Sequence, residues 1–311
     1  MMLWIVFAIT VVAMLALDLG VANRRSHVVT MKTALAWSAF WIVLALLFNL
    51  LVYFVRGEQT ALEFFTAYIV EESLSVDNLF VFLLIFSYFS VPREYQHKVL
   101  FWGIMGVMIM RGIFIFAGVA LISRFGWMIY IFGGFLVLTG IKMLFEKDKK
   151  IDPGRNPILK LFRRMMPVTE IYEEDRFFVK RAGRVIATPL FVVVLVIETT
   201  DVIFAVDSIP AVLGISVDPL VVYTSNIFAV LGLRSLFFAL SGFMEIFHHL
   251  HYGLSVILAF VGVKMLIAHY YKMPIGIALG IVAGILVISV VASLIWPKQP
   301  ECHPERSEES R

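Results

Sequence analysis

Seven acidic residues, Asp18, Glu71, Glu72, Asp77, Glu198, Asp201 and Asp207, stand in stretches of sequence that are otherwise almost wholly apolar. The densest group, EESLSVDN from Glu71 to Asn78, interrupts a run from Leu62 to Phe89 that is long enough to cross a bilayer. An acid at the centre of a membrane helix costs about 2.5–3.5 kcal/mol on insertion scales, so these charges persist only against a cation, a proton or a buried base. Two arginines, Arg111 and Arg234, lie in equally apolar surroundings. Two bases cannot neutralise seven acids, so structural ion pairs account for only part of the set. A metal-free proton relay and an oxygen-rich cation site that also titrates are the other readings, and the second is favoured. Glu71, Asp77, Glu198, Asp201 and Asp207 cluster on two segments, with Asn78 and Ser208 as neutral oxygen donors beside them. Carboxylate, amide and carbonyl oxygens suit magnesium, calcium or manganese rather than zinc or copper.

The two acidic segments echo each other. Ser75-Val76-Asp77-Asn78 matches Ala205-Val206-Asp207-Ser208, and an acid stands six residues before each aspartate, at Glu71 and Asp201. Downstream, Arg111 corresponds to Arg234, and Gly140-Ile141-Lys142-Met143-Leu144 to Gly262-Val263-Lys264-Met265-Leu266. Glu72 and Glu198 do not align in this register. Each copy holds three apolar spans, an odd number, so the second copy must enter the membrane in the opposite direction. Such inverted repeats are a common architecture of secondary transporters, which hold their substrate near the midplane where the copies meet.

These residues are to be positioned by membrane helices. The chain of 311 residues is 60% hydrophobic and 16% charged, with a mean hydropathy of +0.91, a composition solvated by lipid. Apolar segments at about 3–20, 33–55, 62–89, 98–122, 125–145, 186–214, 219–243, 252–271 and 274–296 predict an all-α polytopic membrane protein of about nine transmembrane helices. The expected organisation is two N-terminal helices in 1–61, a first three-helix repeat in 62–145, a polar loop in 146–185, a second repeat in 186–271, a last helix in 272–298 and a polar tail in 299–311. No basic n-region precedes the first apolar run, which reads as a retained helix. With the N-terminus outside, twenty basic residues fall in inner loops and the tail, while only Arg56, Arg124 and Lys272 fall outside. That bias places the N-terminus outside and the C-terminus in the cytoplasm.

Local geometry adds detail. Glu198 and Asp201 are three apart and share a helix face, whereas Asp207 would sit about 120° from Asp201 on a continuous helix. Pro210 predicts a break that gathers the three acids and frees backbone carbonyls; symmetry extends the expectation to the first copy. His248, His249 and His251 sit at a span boundary and read as an interfacial loop rather than a metal box. The 146–185 loop, with eleven basic residues, reads as a cytoplasmic cap at the membrane surface and a docking surface for membrane-protein partners. The single cysteine, Cys302, provides neither a disulfide framework nor a thiolate metal site. No nucleotide-binding glycine motif or nucleophile elbow is present, so the chain is expected to be a transporter and not an enzyme, with no permanent cofactor and no nucleic-acid partner.

Val70 to Phe80, Glu198 to Pro210, Leu17 to Gly20 and Gly232 to Arg234 resemble segments of the TerC family of bacterial integral membrane proteins, and within it the Alx-type members, over roughly residues 1 to 298. The resemblance implies a multi-span protein of the bacterial inner membrane that exports manganese. It sets Glu72, where family members commonly carry another residue, apart from the other acids as a ligand. Asp18 is grouped with it. On this reading Mn2+ is the cargo, proton entry the drive, and Arg111 and Arg234 the charge partners that hold the metal-free carboxylates in place. The alternatives are a calcium/proton or cationic-solute exporter, and a non-transporting membrane partner in assembly or metallation of secreted proteins.

Overall fold

The computed structural model describes residues 1–22, 31–145, 157–169, 171–173, 175–181, 184–240, 250–271 and 273–295. Its helices are α1 (Met2–Ala22), α2 (Met31–Arg56), α3 (Glu58–Tyr88), α4 (Arg93–Arg124), α5 (Met128–Phe145), the short α6 (Pro157–Met165), α7 (Pro189–Leu213), α8 (Pro219–Leu240), α9 (Leu250–Ile267) and α10 (Ile275–Ile295). Each apolar segment read from the sequence falls on one helix, with α6 added in the polar loop. Proline and glycine mark the joints. Pro92 precedes α4, Pro189 and Pro219 open α7 and α8, and Gly57 separates α2 from α3. Gly57 reverses the chain at φ +92°, a left-handed conformation that a side chain would strain.

The outer faces are apolar, unlike those of a water-soluble protein, and the apolar interior encloses a set of polar side chains. Apolar side chains such as Ile9, Leu47, Phe54, Ile109, Ile113 and Val287 are exposed on the outer faces. Glu71, Ser75, Asn78, Arg111, Asp201, Thr224 and Asn226 are buried inside. Six helices, α2, α4, α5, α7, α8 and α10, are long and apolar enough to cross a membrane, and α1 and α9 contain shorter apolar stretches. At 31 residues α3 also has the length to cross, and it carries Glu63, Glu71, Glu72 and Asp77. The chain is an all-α polytopic membrane protein.

The helices associate in a cross-paired way. α3 packs on α8, α4 packs equally extensively on α7, and α3 also touches α7. The most intimate pair is α5 with α9. A side chain at Gly140 would meet the Ser255 oxygen and the Ala259 nitrogen at 2.7 Å. One at Gly262 would meet the Gly133 oxygen at 2.7 Å and the Val137 nitrogen at 2.8 Å. Small residues let membrane helices approach this closely, where van der Waals contact replaces the missing hydrophobic drive. Phe7, Phe48, Phe64, Tyr223 and Phe228 interlock the inner faces of α1, α2, α3 and α8.

The described part of the polar loop is folded against the helix ends. After α6, a two-stranded antiparallel ribbon, β1 (Phe178–Arg181) and β2 (Arg184–Ala187), leads into α7. Phe162 and Phe178 pack on Phe191 of α7 in tilted ring contacts. The Tyr172 hydroxyl donates to the Phe89 carbonyl at 2.7 Å, and Lys98 donates to the carbonyl and carboxylate of Asp175 at 2.6 and 2.8 Å. Burial raises the Tyr172 phenol to about 12. The hydrogen bond from Lys98 holds Asp175 below the usual carboxylate range.

One expectation is corrected. α7 runs unbroken through Pro210 from Pro189 to Leu213, and α3 runs unbroken from Glu58 to Tyr88. Pro210 stands three residues before the end of α7, where the one ladder bond it cannot make is that to the Val206 carbonyl. The Gly214 amide then closes the last turn on the Pro210 carbonyl at 2.9 Å.

Candidate functional site

Three helices deliver one buried ion cluster. Glu71 stands thirteen residues into α3, Arg111 eighteen into α4 and Asp201 twelve into α7, each near the middle of its helix. Arg111 Nη1 donates to Glu71 Oε2 at 2.9 Å. Its Nε and Nη2 donate to Asp201 Oδ2 and Oδ1, both at 3.1 Å. The guanidinium fork thus grips one carboxylate with two bonds and a second with one, and Arg111 is 0% exposed. Only the planar, permanently charged arginine side chain can hold two carboxylates in this way. With both acids ionised the cluster carries one net negative charge.

Oxygen atoms beyond those bonds are left over. Glu71 Oε1, Glu72 Oε2, the Ser75 and Ser208 hydroxyls and both amide atoms of Asn226 are buried and make no hydrogen bond of normal geometry among the described residues. An unsatisfied polar group in such surroundings costs about 1–3 kcal/mol, and of these atoms Glu71 Oε1 and the Asn226 amide border the ion cluster. The Asn226 amide of α8 lies near enough to act on the Glu71 carboxylate. Glu72 faces the other way, toward the Tyr68 phenol and the backbone of Gly232 in α8.

Glu198, one turn before Asp201, is half-buried and rests on the α4 backbone. A Cβ added to Gly106 would fall 2.0 Å from Glu198 Oε1, so the carboxylate occupies the space that glycine leaves. Because α7 is continuous, Asp207 stays about 120° around the helix from Asp201 and is half-buried. Asn78 and Ser208 are both buried. The structure therefore brings together Glu71, Asp201 and Arg111, with Glu198 and Asn226 beside them and Glu72 turned toward Tyr68 and Gly232. Among the described residues no group of three or more His, Cys, Asp or Glu side chains is placed to hold a metal ion. The side chains of Asp18 in α1, Asp77 in α3, Arg234 in α8 and His251 in α9 lie outside the described residues, as do His248 and His249.

The sequence reading missed Asn226, Gly106 and Tyr68. It also missed Glu63, which accepts a bond from Ser216 at 2.6 Å near the opposite end of α3 from the polar loop. Lys264 faces Glu63 and donates to the Gly214 carbonyl at 3.2 Å. Thr224-Ser225-Asn226, a polar triplet inside an apolar span, was the available signal for Asn226. Gly106 carried none, because its importance depends on which helix packs against it.

Comparison with known proteins sets this cluster in a family. An "Uncharacterized membrane protein STKORF319" from Myxococcus xanthus is 50% identical over 293 residues, covering 94% of this chain and 92% of that protein. An Escherichia coli K12 protein named "Putative membrane-bound redox modulator Alx" is 47% identical over 299 residues, covering 93% of each chain. An uncharacterized membrane protein of Rickettsia bellii is 40% identical over 294 residues, covering 94% of this chain and 97% of that one. No solved structure matches the chain. Residues 56–301, which contain both acidic segments and the Glu71–Arg111–Asp201 cluster, match the Integral membrane protein TerC family, and the chain belongs to that family.

Proposed function

We propose that this protein is a secondary transporter that exports Mn2+ from the cytoplasm in exchange for entering protons. The observation that carries the reading is the mid-helix cluster of Glu71, Asp201 and Arg111, in which Glu71 Oε1 is buried with the Asn226 amide beside the carboxylate. Ionisable groups at the middle of membrane helices mark ion pathways and proton relays. The donors present, carboxylate, amide and hydroxyl, fit a hard divalent cation. In the proposed cycle the described arrangement is the arginine-paired one, and the cation replaces Arg111 between the carboxylates. Asp77, Glu198 and Asp207 complete the path, with Asn78 and Ser208 as neutral donors. Export of a divalent cation against an inside-negative potential requires about 4.6 kcal/mol per 100 mV, and proton entry supplies the drive.

The packing supports the inverted repeat on which this reading depends. Exchanging the copies turns the α3–α8 contact into the α4–α7 contact, and these two are matched. The same exchange turns Gly140 against Ser255 and Ala259 into Gly262 against Gly133 and Val137, and both sets of contacts are present. The accompanying proposal is nine spans in the bacterial inner membrane, N-terminus outside. Reporter fusions at residues 160 and 311 would both read cytoplasmic, and a periplasmic signal at 160 would overturn the inversion. The name of the Escherichia coli relative suggests a redox role. With one cysteine in 311 residues, this chain cannot form an internal dithiol couple, and a redox effect would follow from metal balance.

The direct test is transport. Proteoliposomes holding the purified chain, loaded with a manganese-sensitive dye and given an imposed proton gradient, are expected to move Mn2+ and protons in opposite directions. Uptake of calcium with no response to manganese would favour the calcium alternative, and no cation movement would sink the transporter reading.

A further inference from the structure

A cavity of about 670 Å3 opens between α6, the C-terminal end of α3 and the start of α7, lined by Tyr88, Phe89, Arg163, Thr169, Tyr172 and Val192 with two neighbours. Its location is the membrane edge of the folded polar loop, since α3, α4 and α7 all have ends there. α6 carries the argument. At about 100° per residue, its nine side chains divide into two arcs. Leu159 is buried, and Phe162 packs on Phe191 with ring centroids 5.4 Å apart, so this line faces the bundle. Beside it on the same arc, Ile158, Leu161 and Met165 are 47%, 57% and 78% exposed. The opposite arc holds Lys160, Arg163 and Arg164.

A helix facing water would not leave three large apolar side chains open beside a basic face. A helix lying in the plane of a membrane does, with its apolar arc among acyl chains and its basic arc among headgroups. Exposed Tyr88, Ile171 and Phe178 continue the apolar border near the same loop. The Tyr172 hydroxyl already donates to Phe89 and that of Thr169 to the Ile171 carbonyl at 2.9 Å. Arg163 is therefore the charged donor that this cavity offers to an anion.

We propose that α6 and the cavity behind it form a binding site for an anionic phospholipid, with the headgroup phosphate against Arg163 and an acyl chain along the apolar lining of Phe89, Val168 and Val192, while the exposed arc of Ile158, Leu161 and Met165 seats α6 in the same leaflet. The inference stands apart from the transport reading, because it uses none of the residues placed in the ion cluster.

The test is native mass spectrometry of the full chain in detergent, titrated with phosphatidylglycerol or with phosphatidylcholine of the same acyl composition. Phosphatidylglycerol should be retained as a discrete adduct. Arg163→Gln should weaken its retention about fivefold, the equivalent of the ~1 kcal/mol that one basic residue contributes at an anionic surface. Lys180→Gln, which removes the same charge from β1, should have a much smaller effect. Equal retention of the two lipids, or unchanged retention in Arg163→Gln, would overturn the proposal. Displacement of the adduct by millimolar inorganic phosphate would make this a free-anion site, and displacement by a co-purified polypeptide would make α6 a protein dock; either outcome refutes the lipid assignment. Should Arg163→Gln fail to insert, the comparison of the two lipids on the unaltered chain still decides the matter.

Discussion

Replacing Arg111 by methionine removes the one base that the described structure places between Glu71 and Asp201. Methionine keeps the length and apolar stem of the side chain, so the change acts on charge more than on packing. Three hydrogen bonds at 2.9–3.1 Å disappear, all from an arginine that is 0% exposed. Summing them at about 1.5–3 kcal/mol each would overstate the effect, since the buried charges were costly to desolvate at the outset. Breaking a buried pair by removing one partner costs about 3–5 kcal/mol, because the other charge is left uncompensated. The same physics predicts a reversal. In Glu71→Gln/Asp201→Asn/Arg111→Met no charge remains, so the triple variant should recover at least about 2 kcal/mol of what the single variant loses. Titration from native micelles into denaturing detergent, followed by circular dichroism, measures both. Manganese tolerance in a sensitive host should be lost in both, which separates stability from transport. If Arg111→Met unfolds within about 1 kcal/mol of the unaltered chain, or if the triple variant is no more stable than the single, the cluster is not an electrostatic keystone of the fold.

Gly106→Ala should force the Glu198 carboxylate off α4, since the new methyl group would lie 2.0 Å from Oε1; because the displaced group is the free end of a flexible side chain, stability should change little, while manganese export falls well below that of a Gly103→Ala control. Asp77→Asn and Asp207→Asn should each abolish manganese tolerance with membrane insertion intact, while His248→Ala and His249→Ala leave tolerance largely unchanged; normal export by both asparagine variants would place the site elsewhere. The loop contacts give a pH dependence of known sign. The folded phenol of Tyr172 is raised to about 12 from an ordinary value near 10, so its contribution is complete below about pH 10 and is lost as pH rises toward 12. Asp175 is lowered, so its contribution is present above the ordinary aspartate value and is lost as pH falls through the depressed one. Proteolysis of the 167–175 segment should therefore accelerate above pH 10 in the unaltered chain. Tyr172→Phe should show fast cleavage at neutral pH and little further change on alkalinisation; a flat profile in the unaltered chain would refute the Tyr172–Phe89 tether.

Much of this architecture was legible because membrane proteins write their constraints plainly. Backbone groups must be satisfied within each span, so spans are helices, and a charge inside one needs a stated reason. That is why Glu71, Arg111 and Asp201 could be singled out from residue type and position alone. What was not legible depends on partners in space. Pro210 signalled a break that the helix does not make, because proline's cost depends on how near the helix end it falls. Glu72 is adjacent in sequence to Glu71 yet faces Tyr68 and Gly232 rather than Arg111, since neighbours on a helix point about 100° apart. The α6 helix and the β1–β2 ribbon lay in a stretch whose mixed charge concealed both periodicities.

Glu71 and Asp201 occupy corresponding positions in the two acidic segments, and one guanidinium reaches both. On the proposed reading this has a mechanistic consequence. A single arginine from α4 cannot be related by symmetry to itself, so a cluster formed by equivalent acids around Arg111 is necessarily asymmetric. Two carboxylates with one guanidinium carry a net charge of −1; a divalent cation, or two protons on the carboxylates, would bring the trio to +1, since Arg111 keeps its charge. Metal and protons are then alternative ways of discharging the same pair, and Arg111 pairs with the acids in the state that carries neither. Exchange of two protons for one divalent cation leaves the charge of the cluster unchanged, and the displaced Arg111 then needs another carboxylate as its counter-charge, because the interior can tolerate few unpaired charges.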